Sequence, residues 1–231
     1  MLRRLPKLAV TVTAFSLLVI TVVFSILDAW LWKPLPLPHA EELVIAFGAT
    51  KARPAEPQVF LFARVLEAWR ARGRTIQSAG GVKRTGFEIE TAEGREPVSA
   101  MHVTPELMGT LHPSLPVREP GAVFVSEALW RRYFSHAPQS IALSGRSHPV
   151  AAVLPRDFDF RVLDQDKPVD LYVVHDFGDG VASTAIVART KPGISIDETR
   201  AELAAIFASV EGAHTDNLRE YLPLLVSLQA D

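Results

Sequence analysis

The sequence predicts an α+β protein in which one apolar helix precedes an exported region of split βαβ units with β-rich material between them. Three observations predict it. Residues 8–27 run for twenty positions without a charge, strand-helix-strand patterns stand near both ends of the remainder, and short strand patterns joined by turn residues fill the middle. With 231 residues, 48% hydrophobic and 22% charged, the chain has material for a membrane segment and one globular region in two lobes.

The apolar run "LAVTVTAFSLLVITVVFSIL" rises about 1.5 Å per residue as a helix, which matches a hydrocarbon core roughly 30 Å thick. A secretory signal has a shorter apolar region followed by a small-x-small cleavage site, and Leu27-Asp28-Ala29 lacks the first small residue. The expectation is therefore a basic cytoplasmic terminus over 1–7, a membrane helix over 8–32 and an exported region over 33–231. Arg3, Arg4 and Lys7 fix the N-terminus inside, and Trp30 and Trp32 anchor the opposite interface. This places the protein in a bacterial inner membrane, with the bilayer as its first partner.

Prolines at 34, 36 and 38 remove three amide donors and end that helix in a stiff extended stretch. "LVIAFG" at 43–48 reads as a strand, and 58–72 as an amphipathic helix with Val59, Phe62, Val65, Leu66 and Trp69 on its apolar face. Trp69, at the end of that face, is a candidate interface residue. Strands are expected at 76–83, 86–91 and 97–104, the last two joined by "AEGRE". "GAVFVSEALWRRYF" reads as a strand running into a short helix capped by Ser126. Further strands are expected at 148–154, 169–175 and 183–190. In "KPGISIDETRAELAAIFASVEG", Ser195 and Glu198 form a capping-box pattern, and Leu203, Ile206, Phe207 and Val210 make the inner face of a helix. "LPLLVSLQ" closes the region as a strand.

Composition excludes several function classes. Setting aside Arg3, Arg4 and Lys7, 21 of the 24 basic residues face 26 acidic ones, so the exported part is acidic and nucleic acid is not a partner. There is no cysteine, hence no disulfide and no thiolate site. No phosphate-cradling G-x-x-x-x-G-K-[ST], H-E-x-x-H, G-x-S-x-G or S-x-x-K occurs. His175, Asp176 and Asp179 in "DLYVVHDFGDG" offer local donors for a cation, but the same residues are ordinary at a strand end and Gly turn. Asp157 and Asp159 in "LPRDFDF" alternate on one face, where Phe158 and Phe160 beside them read as docking a loop. The seven histidines show no ligand spacing. The reading is a protein that is not an enzyme, with no catalytic residue, no cofactor and no metal.

Five pieces in order, "FSILDAWLWKPLPLPHAEELV", "AMHVTPELMGTL", "GAVFVSEALWRRYF", "LSGRSHPVAAVLPRDFDF" and "IVARTKPGISIDETRAEL", spread over residues 24–203, resemble the MacB-like periplasmic core region of FtsX-type ABC transporter permeases. The resemblance implies porter-like parts at about 40–110 and 182–231, with an inserted β-rich lobe at about 111–181. It implies an ABC ATPase subunit and other permease spans as partners, and a dimer as the assembly. The family's later membrane helices are not in these 231 residues, so a fragment or a naturally reduced relative is expected. Two other readings stand beside it: an anchored binding module without a transport role, and an exported enzyme released by cleavage.

Overall fold

The computed structural model describes residues 37–57, 61–91, 94–134, 139–158, 160, 168–177, 183–210 and 221–228. The chain divides into two units, Met1–Pro34 and Leu35–Asp231. The expected membrane helix and Arg3, Arg4, Lys7, Trp30 and Trp32 lie outside the described residues. Among the described residues no helix is long and apolar enough to cross a membrane.

Strand β1 (Leu43–Thr50) follows a 3-10 turn at Ala40–Glu42. The helix expected over 58–72 begins only at Ala63, because Leu61–Phe62 pair as β2 with a later strand, and α1 spans Ala63–Arg72. Next come β3 (Ile76–Thr91), β4 (Gly94–Val103), α2 (Leu107–Leu111), β5 (Val123–Ser126) and α3 (Glu127–Tyr133). The chain continues through β6 (Ser140–Leu143), β7 (Arg146–Leu154), β8 (Leu171–Val174), β9 (Ser183–Thr190), α4 (Ile196–Ser209) and β10 (Tyr221–Ser227).

Two strands expected at 76–83 and 86–91 are one. Their ladder with β4 runs unbroken from Val82 opposite Val103 to Thr91 opposite Gly94, and Gly86 is carried through it by pairing with Ser99. Both caps form: Leu129 N–H donates to Ser126 Oγ at 3.1 Å, and Glu198 N–H donates to Ser195 Oγ at 3.2 Å while Glu198 accepts from Ser195 N–H.

The topology follows from shared neighbours. β1 and β3 both pair antiparallel with β9, so they run parallel with β9 between them, and α1 crosses from one to the other. β9 and β10 both pair antiparallel with β1, and α4 crosses between them. Two interleaved split βαβ units result, in the order β10-β1-β9-β3. From β3 the sheet continues β4-β8-β5-β7-β6, and β6 returns to β3 where Ile89 meets Leu143. Six strands thereby close on themselves, which removes their free edges.

Strand alternation sorts the interior into three clusters. Val44 and Ala46 of β1 with Ile186 and Ala188 of β9 face α1 and α4. Ile45, Phe47, Ala185 and Val187, on the opposite side of those strands, face α2 and meet Met101, Val103, Tyr172 and Val174. Val98, Ala100, Val123, Val125, Leu171 and Val173 turn into the six-stranded closure with Ile89, Ile141 and Leu143. Each fully buried Leu, Ile or Val contributes about 1.5–3 kcal/mol relative to exposure. Gly80 lets α2 lie directly on β3: a Cβ there would stand 2.5 Å from the Leu107 Cα.

Candidate functional site

The first described residues, 37–42, follow the apolar run and proline stretch in the chain, and one side chain binds them into the fold. Arg189 belongs to β9, whose 185, 187 and 189 positions face α2. A lone cation in the otherwise uncharged strand "STAIVART" needs partners, since a buried charge without them is untenable. Arg189 is 4% exposed and makes five hydrogen bonds. Its Nε donates to the Thr110 carbonyl at 3.1 Å, and Nη2 to the carbonyls of Leu111 at 3.2 Å and Pro38 at 2.9 Å. Nη1 donates to the His39 carbonyl at 3.0 Å and to the Glu42 carboxylate at 3.2 Å.

Thr110 and Leu111 end α2, so the guanidinium satisfies carbonyls that a helix terminus leaves unpaired and sits at its negative end. His39 holds a left-handed conformation (φ 51°) that keeps its carbonyl on both Glu42 N–H, at 3.0 Å, and Arg189. Thr190 Oγ1 donates to the Glu42 carbonyl at 3.1 Å. The stem is thus clasped to β9 and α2 by a planar fork rather than by a flexible ammonium.

A second network joins the helices on the other face. Trp69 is 0% exposed and lies in the core instead of on a surface where a partner could reach it. Its Nε1 donates to Glu202 Oε1 at 3.3 Å, and Glu202 also accepts from Arg74 N–H at 2.7 Å, Thr75 N–H at 3.2 Å and Thr75 Oγ1 at 2.6 Å. Burial pushes the Glu202 carboxyl up, but these donors outweigh it and hold it below its usual value. The pair ties α4 to the turn between α1 and β3.

Two of the clefts that open among the described residues bear on function. One of about 410 Å³ is lined by Leu66, Glu67, Arg70, Glu106, Asp176 and Phe177 among others, with Arg70 already bound to Thr104 Oγ1 at 3.1 Å and to the Glu106 carboxylate. The other, about 510 Å³, lies by Ser126, Arg131, Arg156, Phe158 and Asp170. Phe158 stands edge-on to Tyr172, whose hydroxyl donates to the Phe160 carbonyl at 2.9 Å, so this loop is docked by its aromatics. Asp157 is exposed, while Asp159 and Asp179 lie outside the described residues. Among the described residues no group of three or more His, Asp or Glu side chains is arranged to hold a metal ion.

Sequence reasoning missed Arg189, whose signal was a single charge on the inward face of a buried strand. It also read the histidines as scattered, whereas His102, His148 and His175 meet around Phe87 and Phe177.

The described fold is similar to three solved structures. The periplasmic region of MacB from Actinobacillus actinomycetemcomitans matches with a TM-score of 0.58 at 8% identity, over 81% of this chain and 89% of that one. A permease-protein domain from Porphyromonas gingivalis matches at 0.58 with 12% identity, over 84% and 92% respectively. The extracellular domain of the noncanonic ABC-type transporter YknZ from Gram-positive bacteria matches at 0.52 with 13% identity, over 79% of this chain and 99% of that one. No protein-family model and no curated protein matches the sequence. The fold of this chain is that of a MacB-like periplasmic domain.

Proposed function

We propose that this chain is the non-enzymatic, membrane-anchored exported region of an ABC-type transporter permease, coupling permease spans and an ATPase subunit to events outside the membrane. Similarity of fold to three transporter regions over about four fifths of the chain carries this reading. In it, residues 8–32 span the inner membrane, Arg3, Arg4 and Lys7 stay cytoplasmic, and Trp30 and Trp32 mark the outer interface. The interleaved βαβ units form a porter-like lobe from about 40–110 and 182–231, with a β-rich lobe inserted at about 111–181. Two copies assemble as a dimer.

The Arg189 clasp supports the coupling role, because tension on residues 37–42 would pass through three hydrogen bonds to Arg189 and, by its other two, into α2 and the sheet. The two clefts support a second reading, an anchored module that recognises an envelope component without transport. Purification from mild detergent at native expression separates the two. Co-purification of an ATPase subunit is the outcome expected of the transporter region, and recovery of envelope proteins alone overturns it. Carbonate extraction checks the anchor: an intact N-terminus that stays with the membrane is expected, and release into the soluble fraction rules the span out.

A further inference from the structure

The six-stranded closure ends in a cluster of rings. β4 and β8 finish at this end and β5 and β7 begin there, since β4 pairs parallel with β8, β5 parallel with β7, and β5 antiparallel with β8. His102, half-buried, shares the register of Val98 and Ala100 on β4, and His175, exposed, directly follows the last residue of β8. Their imidazoles stack with centroids 4.6 Å apart and planes 19° from parallel. Phe87 stands edge-on to His102 at 5.5 Å and to His148 at 6.4 Å, and Phe177 edge-on to His175 at 5.5 Å.

The backbone holds the same segment in place: His175 N–H donates to the Val103 carbonyl at 2.8 Å. The two residues that follow, Asp176 and Phe177, form one wall of the cleft that also contains Arg70 and Glu106. A stack at the barrel end and a wall of the cleft are therefore consecutive residues of one short segment.

We propose that the His102–His175 stack is an acid-released latch, which holds residues 175–177 on the barrel end while the His102 ring is neutral and frees them, opening the Arg70 cleft, when His102 takes up a proton. The groups whose charge acts on His102 come from three elements and are all basic: His175 after β8, Lys83 on β3, directly opposite His102 in the ladder, and His148 on β7. Asp176, the carboxylate next in the chain to His175, lines the cleft. A cation at His102 thus meets only basic groups among those acting on it.

Burial, followed by the charges of His175, Lys83 and His148, pushes the His102 imidazole down from 6.5 to about 4. The latched form is the weaker proton binder. The latch is therefore complete above the free value of about 6.5 and is lost progressively as pH falls toward about 4.

Hydrogen exchange on the full-length protein in detergent micelles, corrected for the chemical rate, tests the latch at about pH 7 and about pH 5. The amides of residues 174–177 are expected to lose at least about tenfold protection at the lower pH. His102→Phe keeps a stacking ring that cannot titrate, and its protection should stay level. Equal protection of the wild type at both pH values, or the same loss in His102→Phe as in wild type, overturns the latch. Should that variant fail to fold, ring titration of the wild type by NMR decides instead: a His102 midpoint near about 4 supports the latch, and one near the free value of 6.5 overturns it.

Discussion

Arg189, buried, and His102, half-buried, each stand near the end of a strand, and the fold treats them in opposite ways. Arg189 stays a cation because backbone carbonyls from Pro38, His39, Thr110 and Leu111 and the Glu42 carboxylate converge on its fork. Its geometry is set by elements already fixed, a helix end and a stem. The contacts described for His102 are with rings, its charged neighbours are basic, and it gives up its charge. A buried ion persists where acceptors are fixed by other structure, and where rings surround it the neutral form wins. The first arrangement resists a change of conditions, and the second responds to one.

The sharpest way to break this contrast is Arg189→Met, which keeps the bulk but takes the guanidinium away from five acceptors, of which only the His39 carbonyl keeps a described partner, Glu42 N–H. It should cost about 3–5 kcal/mol in denaturant unfolding, with Arg189→Lys recovering part because an ammonium cannot reproduce the fork. Exchange protection at residues 40–43 should fall first. If Arg189→Met unfolds at the wild-type midpoint, the clasp is not holding the stem.

Gly80→Ala attacks the same clasp from behind, since the added methyl would meet the Leu107 backbone at 2.5 Å and lift α2 off β3. About 1–3 kcal/mol should be lost, read as a lower melting temperature. Full stability in this variant would mean that α2 can shift without disturbing Arg189.

The His102 side of the comparison predicts a pH dependence. Because its folded value is depressed to about 4 from 6.5, stability should rise as pH is raised between those values, by less than the roughly 3.4 kcal/mol of the full difference because solvent screens a half-buried ring, and level off above. His102→Gln should flatten that rise in a pH series of thermal melts, and a rise of equal size in the variant would assign it to other groups. The smallest effect is expected at a site belonging to neither arrangement. Ser126→Ala removes the cap on Leu129 N–H and should cost about 1 kcal/mol without changing the slope with pH.

Elements with strong local signals were legible. The capping box at Ser195 and Glu198, the cap at Ser126, the strand at 183–190 and the closing strand were all read within a residue or two. α2 was missed because five residues carry too little helical period, and β6 because a four-residue strand has no alternation to count. The apolar face of α1 was visible, but its start was not: Leu61 and Phe62 have strand partners at Thr184 and Ser183, far along the chain.

The same distinction separates what belongs to the sequence alone from what belongs to the fold. Periodicity, caps, prolines and the absence of cysteine determined an α+β chain with βαβ patterns at its ends, because those signals act between residues within one or two turns. Closure of six strands, the convergence of residues 38, 39, 42, 110 and 111 on Arg189, and the meeting of His102 with His175 were decided by tertiary structure. The reason is physical: such contacts exist only after strands distant in sequence have paired, and the pairing register, which one residue's slip would reverse, leaves no mark on the local pattern.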